Sequence, residues 1–64
     1  MMYCCSKCVK VGDTCIIENM LVKKIGSLEF GDSARDYYVA NPSDEKRKFV
    51  FSVNPYLLVI REDL

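Results

Sequence analysis

The residues with the most distinctive chemistry are four cysteines, Cys4, Cys5, Cys8 and Cys15, all in the first quarter of a 64-residue chain. Cys5 and Cys8 have the Cys-x-x-Cys spacing of a zinc knuckle, and the other two could complete a site of four thiolates. A strong zinc signal needs two such pairs, and this chain has one. Adjacent Cys4 and Cys5 would also point in opposite directions along an extended segment. We therefore predict structural cysteines and no cofactor, with zinc as the alternative.

Two other reactions of these thiols are less well supported. Disulfides among them would close only short local loops and leave residues 16–64 without a cross-link, which favours reduced thiols in a reducing compartment. A redox-active Cys-x-x-Cys is typical of a thioredoxin-like βαβ context, and the sequence lacks one.

Other residue types exclude or disfavour whole classes of function. The chain has no histidine, so a conventional catalytic triad is excluded and we do not expect an enzyme. Nine basic and nine acidic residues give zero net charge, without the basic surplus that phosphate binding usually requires. Half of the residues are hydrophobic, which is too much for a disordered chain. No apolar run approaches the ~20 residues of a membrane helix, and no signal peptide is visible, so we expect a cytoplasmic protein.

Alternating and β-branched residues predict strands nearly throughout. With its lead-in segment, the first covers 9–18, and the others cover 21–30, 36–40, 46–53 and 57–61. Gly26 lies inside the second strand, where a glycine indicates a bulge or bend. No helical segment separates the strands. We predict an all-β fold, a small five-stranded and partly open SH3-like or Tudor-like barrel over 9–64, preceded by a Cys-rich segment over 1–8.

Five sequence elements occur in the order and spacing of a known family. They are Lys10–Ile16 (K-V-G-D-T-C-I), Ile25–Glu29 (I-G-S-L-E), Tyr37–Ala40 (Y-Y-V-A), Lys48–Val53 (K-F-V-F-S-V) and Val59–Leu64 (V-I-R-E-D-L). In these elements the chain resembles the CarD/CdnL family and the RNA-polymerase-interacting domain of the transcription-repair coupling factor. The resemblance places Cys15 at a core position of the barrel, where a buried thiol acts as a small hydrophobic side chain.

The resemblance implies a protein-binding module. Such domains dock on the β subunit of bacterial RNA polymerase largely by pairing an edge strand with a strand of the partner, and thereby modulate transcription. The helical region with which CarD contacts DNA is not among these 64 residues, which implies a competitor or adaptor that docks without that contact. The candidate partner-binding residues are Tyr37, Tyr38, Lys46, Arg47, Lys48 and Val50.

Several alternatives stay open. Lys46–Lys48 could be a solvated turn, or could face an acidic protein surface rather than nucleic acid. An aromatic ligand cage could use Tyr37, Tyr38, Phe49, Phe51 and Tyr56, although we expect Phe49 and Phe51 inside and only one of the two adjacent tyrosines facing outward. The alternative functions are a small zinc-stabilised nucleic-acid-binding domain and a phage-encoded inhibitor of another host protein. A homodimer through a self-paired edge is a further alternative.

Overall fold

Residues 2–61 are described by a computed structural model, in which they form one antiparallel sheet. Its strands are β1 (Met2–Cys5), β2 (Thr14–Ile17), β3 (Met20–Phe30), β4 (Ser33–Ala40), β5 (Phe49–Val53) and β6 (Leu58–Arg61). Their order across the sheet is β1-β6-β2-β3-β4-β5. The predicted all-β class is confirmed. In the described part of the chain no helix is long and apolar enough to cross a membrane.

The sheet has six strands rather than the predicted five, and it is not closed into a barrel. The additional strand is β1, which lies in the Cys-rich segment that sequence analysis set apart from the barrel. Its residues have neither clean alternation nor β-branched side chains, so its conformation depends on pairing with β6. The predicted strand at 46–53 begins only at Phe49, because residues 45–47 form a turn. The closing residues 62–64 of the family-like motif lie outside the described residues.

The sheet curls around a small core. That core comprises Val9, Cys15, Ile17, Val22, Tyr38, Ala40 and Val59, with Cys4, Met20, Phe51 and Val53 packed against it. Cys4 belongs to β1 and Phe51 to β5, which are the two outermost strands of the sheet. Side chains from both ends of one sheet can reach a common core only if the sheet bends back on itself. The structure is therefore a curled open sheet and not the predicted five-stranded SH3-like or Tudor-like barrel.

Local residue choice explains the turns and the bend. Gly12 has a φ of 98°, a left-handed conformation that the Gly12–Asp13 turn requires and that glycine adopts most readily. In β3 the register with β4 shifts between Lys24 and Gly26, which confirms the bulge predicted at the glycine. The first half of β3 packs against the core through Met20 and Val22, whereas its residues beyond Gly26 are exposed.

The two-residue loop of the hairpin between β2 and β3 has a strained backbone conformation. Ile17 pairs with Met20, and the two loop residues Glu18 and Asn19 have φ angles of 49° and 65°. Two-residue hairpin loops with positive φ at both positions favour Asn-Gly, whereas glutamate rarely adopts this conformation.

Replacing the loop by Asn-Gly, through Glu18→Asn with Asn19→Gly, should therefore stabilise the protein. We expect the free energy of unfolding to rise by about 1 kcal/mol, measured by urea denaturation followed by circular dichroism. Ser43→Gly is the matched control, because Ser43 is exposed in a loop and its φ is not positive. That change should be slightly destabilising, and an equal gain from both variants would contradict the explanation.

Candidate functional site

The edge strand β5 is the most accessible backbone surface near the predicted partner-binding residues. In the described sheet β5 pairs with β4 on one side and has no strand on the other. Its two exposed apolar side chains are Phe49 and Val50, which expose 48% and 59% of their surface. Since successive residues of a strand face opposite sides, these two side chains present apolar surface on both faces of the edge.

Of the two adjacent tyrosines, the structure buries one and leaves the other half-buried. Tyr38, a predicted partner-binding residue, is fully buried in the core and presents no surface to a partner in this structure. It faces inward because it pairs with core-facing Phe51 and follows the same alternation as buried Asp36 and Ala40. Tyr37 lies on the opposite, outer face, opposite Ser52 of β5. The predicted division into one inward and one outward tyrosine thus holds.

The predicted basic residues form an exposed turn that leads into β5. The Asp44 side chain accepts a hydrogen bond from the Lys46 backbone at 3.1 Å, and its carbonyl accepts one from Arg47 at 3.1 Å. Lys48 lies 3.7 Å from Glu45, with both side chains well exposed. An exposed pair of this kind contributes little to stability, so its cation remains available to an acidic partner.

The aromatic residues do not assemble into a cage. Phe51 stacks on Tyr38 with ring centroids 6.0 Å apart, and Phe49 lies 5.7 Å from Phe51. Phe49 was predicted to be inside but is half exposed, because β5 is the last strand of the described sheet and no neighbouring strand covers it there. Tyr56 is elsewhere, 70% exposed, and its ring lies under the Lys7 ammonium at 5.1 Å from the centroid.

The four cysteines are divided between two environments. Cys15 is fully buried and Cys4 packs against the same core, whereas Cys5 and Cys8 lie on the outside of the turn with their sulfurs 3.7 Å apart. Burial raises the pKa of the Cys15 thiol, which suits its role as a small hydrophobic side chain. Across residues 2–61 no group of three or more cysteine or carboxylate side chains is placed to hold a metal ion. The described residues therefore do not bring together the four thiolates that the zinc alternative requires.

A buried polar network is the feature that sequence reasoning missed. Lys24 of β3 and Asp36 of β4 expose 4% and 2% of their surface and form an ion pair at 3.5 Å. The Lys24 ammonium also donates to the carbonyls of Ser6 and Val9, at 3.0 and 2.7 Å. The Ser6 hydroxyl donates to Asp36 at 2.7 Å and lies 2.6 Å from the Tyr38 hydroxyl.

This network joins the two ends of the curl. Ser6 follows β1 at one edge of the sheet, while Asp36 and Tyr38 belong to β4 near the other edge. No buried side-chain nitrogen or oxygen in the described residues lacks a hydrogen-bond partner. Burial of the phenol and the nearby Cys15 and Asp36 raise the pKa of Tyr38, although its hydrogen bond to Ser6 acts in the opposite direction. The network thus connects the end of β1 to β4 through side-chain hydrogen bonds, although the strands themselves do not close a barrel.

A shallow groove of about 350 Å³ borders this network. Lys24 and Asp36 line its floor, and Lys7, Arg35 and Tyr56 line its rim. The polar atoms of Lys24 and Asp36 are already engaged by bonds within the protein, so the groove offers no unpartnered acid or base from this pair.

The outer face of the sheet carries a second apolar surface. Tyr3 pairs with Ile60, Ile60 with Ile16, and Ile16 with Leu21, which forms one apolar row across β1, β6, β2 and β3. Tyr3 is 69% exposed. The row could not be found from the sequence, because it depends on the register of strands that are distant along the chain.

No protein-family model, curated protein or solved structure matches this chain, so its function must be inferred from this geometry.

Proposed function

We propose that this chain is a protein-binding module that pairs β5 with an extended segment of its partner. The observation that carries the proposal is the free side of β5, with exposed Phe49 and Val50 on its two faces. An added strand would gain main-chain hydrogen bonds from the edge and side-chain contacts on both faces. Long exposed edges also favour aggregation, so natural proteins usually protect an edge that has no partner.

The basic turn favours β5 over β1 as the docking edge. Lys46, Arg47 and Lys48 are exposed and lead directly into β5, whereas β1 has no comparable group of cations beside it within residues 2–61. Cations at the rim of an interface select partners of opposite charge and accelerate association. The partner segment should therefore combine apolar side chains in an extended conformation with acidic residues near the end that meets the turn.

The resemblance to the CarD/CdnL family suggests the partner. Members of that family dock on the β subunit of bacterial RNA polymerase through strand pairing, and an open edge next to Val50 is the feature such docking needs. We accordingly propose that this chain binds the polymerase β subunit and modulates transcription by occupying that surface, with no chemistry of its own.

The test is binding of the full chain to purified bacterial RNA polymerase by biolayer interferometry. Val50→Glu places a carboxylate on the docking edge and should weaken binding about tenfold to hundredfold. Since Val50 is 59% exposed, the variant should still fold, as circular dichroism can confirm. The matched control is Tyr3→Glu, a similar change on the opposite edge strand, which should bind like the unmodified chain.

The outcomes separate the parts of the proposal. Loss of binding in Tyr3→Glu but not in Val50→Glu would move the docking edge to β1. Absence of any binding by the unmodified, folded chain would reject the polymerase as partner. A salt-independent affinity would argue against the role assigned to the basic turn, because rim charges act through screened electrostatics.

A further inference from the structure

Cys5 and Cys8 lack the thioredoxin-like sequence context of a redox pair, but the structure places their sulfur atoms only 3.7 Å apart. Cys5 immediately precedes the 3₁₀ turn Ser6–Cys8, and Cys8 ends it. In this geometry residues three apart lie above one another, which brings the two thiols to the same side of the turn. Both are free cysteines, Cys8 being exposed and Cys5 partly buried.

We propose that Cys5 and Cys8 form a reversible dithiol–disulfide pair, a modification site separate from the proposed docking edge. The oxidant is a small-molecule disulfide such as oxidised glutathione. The Cys8 thiolate attacks it, forming a mixed disulfide and releasing one glutathione thiol. The Cys5 thiolate then attacks the Cys8 sulfur, which forms the Cys5–Cys8 bond and releases the second glutathione. Two electrons pass to the glutathione disulfide, and the two cysteine protons end on the two released thiols.

The backbone of the turn holds the two sulfurs together before any bond forms. The Ser6 and Lys7 amides donate to the carbonyls of Leu57 and Pro55, each at 2.8 Å, and the Val9 amide donates to Ser6 at 3.0 Å. The intervening Ser6 side chain is fixed by its buried bonds to Asp36 and Tyr38. In the unfolded chain the same two thiols must first be brought together at an entropic cost.

Exposure and charge determine the order and the pH dependence of the reaction. Cys8 is the exposed thiol, so it should react first with the oxidant. Its hydrogen bond to Cys5 raises the pKa of Cys8, as does the charge of Cys5, while nearby Lys7 acts weakly in the opposite direction. A raised pKa leaves less thiolate at neutral pH, so oxidation should accelerate as the pH rises towards that pKa.

The experiment equilibrates the full chain in glutathione redox buffers, blocks remaining thiols with N-ethylmaleimide and measures intact mass. The expected product has lost two hydrogen atoms and carries two fewer blocked thiols than the reduced chain. Trypsin cleaves after Lys7, so the bond would link peptides 1–7 and 8–10. The exchange constant is the equilibrium constant for forming the Cys5–Cys8 disulfide from oxidised glutathione. By the loop-closure relation it should be about 20-fold greater for the folded chain than for the chain unfolded in urea. The disulfide should raise the folding equilibrium constant by the same factor.

Single serine variants identify the pair. Cys5→Ser and Cys8→Ser should form only mixed disulfides with glutathione, whereas the matched control Cys4→Ser should keep the internal bond. Three results would overturn the proposal: glutathione adducts or dimers alone from the unmodified chain, retention of the bond in Cys5→Ser with its loss in Cys4→Ser, or an exchange constant no greater in the folded chain than in urea.

Discussion

Replacing Lys24 with methionine is expected to lower the free energy of unfolding by about 3–5 kcal/mol, the cost of leaving a buried charge without its partner. Lys24 is 4% exposed, and its loss would leave the Asp36 carboxylate paired only with Ser6. The Ser6 and Val9 carbonyls would each also lose the hydrogen bond from the Lys24 ammonium, and only the Ser6 carbonyl would keep another backbone donor, the Val9 amide. A domain this small has a stability of about 5 kcal/mol, so the variant should retain only about 0–2 kcal/mol and unfold at much lower urea concentrations.

The measurement is urea denaturation followed by far-ultraviolet circular dichroism. Lys23→Met is the matched control, because Lys23 is the exposed neighbour on the opposite face of β3, and it should change stability by less than about 0.5 kcal/mol. A second variant, Lys24→Met with Asp36→Leu, removes both charges and should recover most of the loss. If Lys24→Met were as stable as Lys23→Met, the network would have no part in holding the curl together.

Strand positions could be predicted because they depend on local chemistry. The turn at Gly12 and the bulge at Gly26 follow from conformations that glycine adopts readily, and the loop before β5 begins at an Asn-Pro pair. Alternation along β4 also predicted that only one of Tyr37 and Tyr38 would face inward. These features need no information about which strands become neighbours.

The buried network depends on pairings that local chemistry does not reveal. One signal was available: Lys24 follows Val22 at the spacing of inward-facing residues, and Asp36 precedes Tyr38 in the same way. Two opposite charges on inward-facing positions of successive strands indicate a buried pair. The participation of Ser6 could not be predicted, because it requires the curl to bring the end of β1 to β4.

The candidate edge was only partly predictable for the same reason. The sequence identified an apolar strand next to a basic run, which became β5 and its turn. Whether that strand lies at the edge depends on the order of strands in the sheet, and β1 takes the other edge only because it pairs with β6. The exposed hairpin end, where Phe30 is 82% exposed, likewise follows from how far β3 and β4 extend beyond the core.

Alkaline pH is expected to destabilise the protein through Tyr38. Its phenol is buried, and burial raises the pKa of Tyr38 above its ordinary value in the unfolded chain. The folded state therefore retains a proton that the unfolded state loses above about pH 10, so stability is complete below that pH and falls as pH rises above it. The slope should approach about 1.4 kcal/mol per pH unit while only the unfolded phenol ionises.

The check is the urea midpoint measured from near neutral pH to about pH 11 in the presence of a reducing agent. Burial also raises the pKa of Cys15, which gives a loss of the same sign beginning nearer its ordinary value of about 8.5. A Cys15→Ala background removes that contribution. In this background Tyr38→Phe should be less stable at neutral pH, since it lacks the bond to Ser6, but should lose less stability above about pH 10. Equal slopes with tyrosine and phenylalanine would show that another group carries the alkaline transition, and that the Tyr38 phenol can ionise without opening the curl.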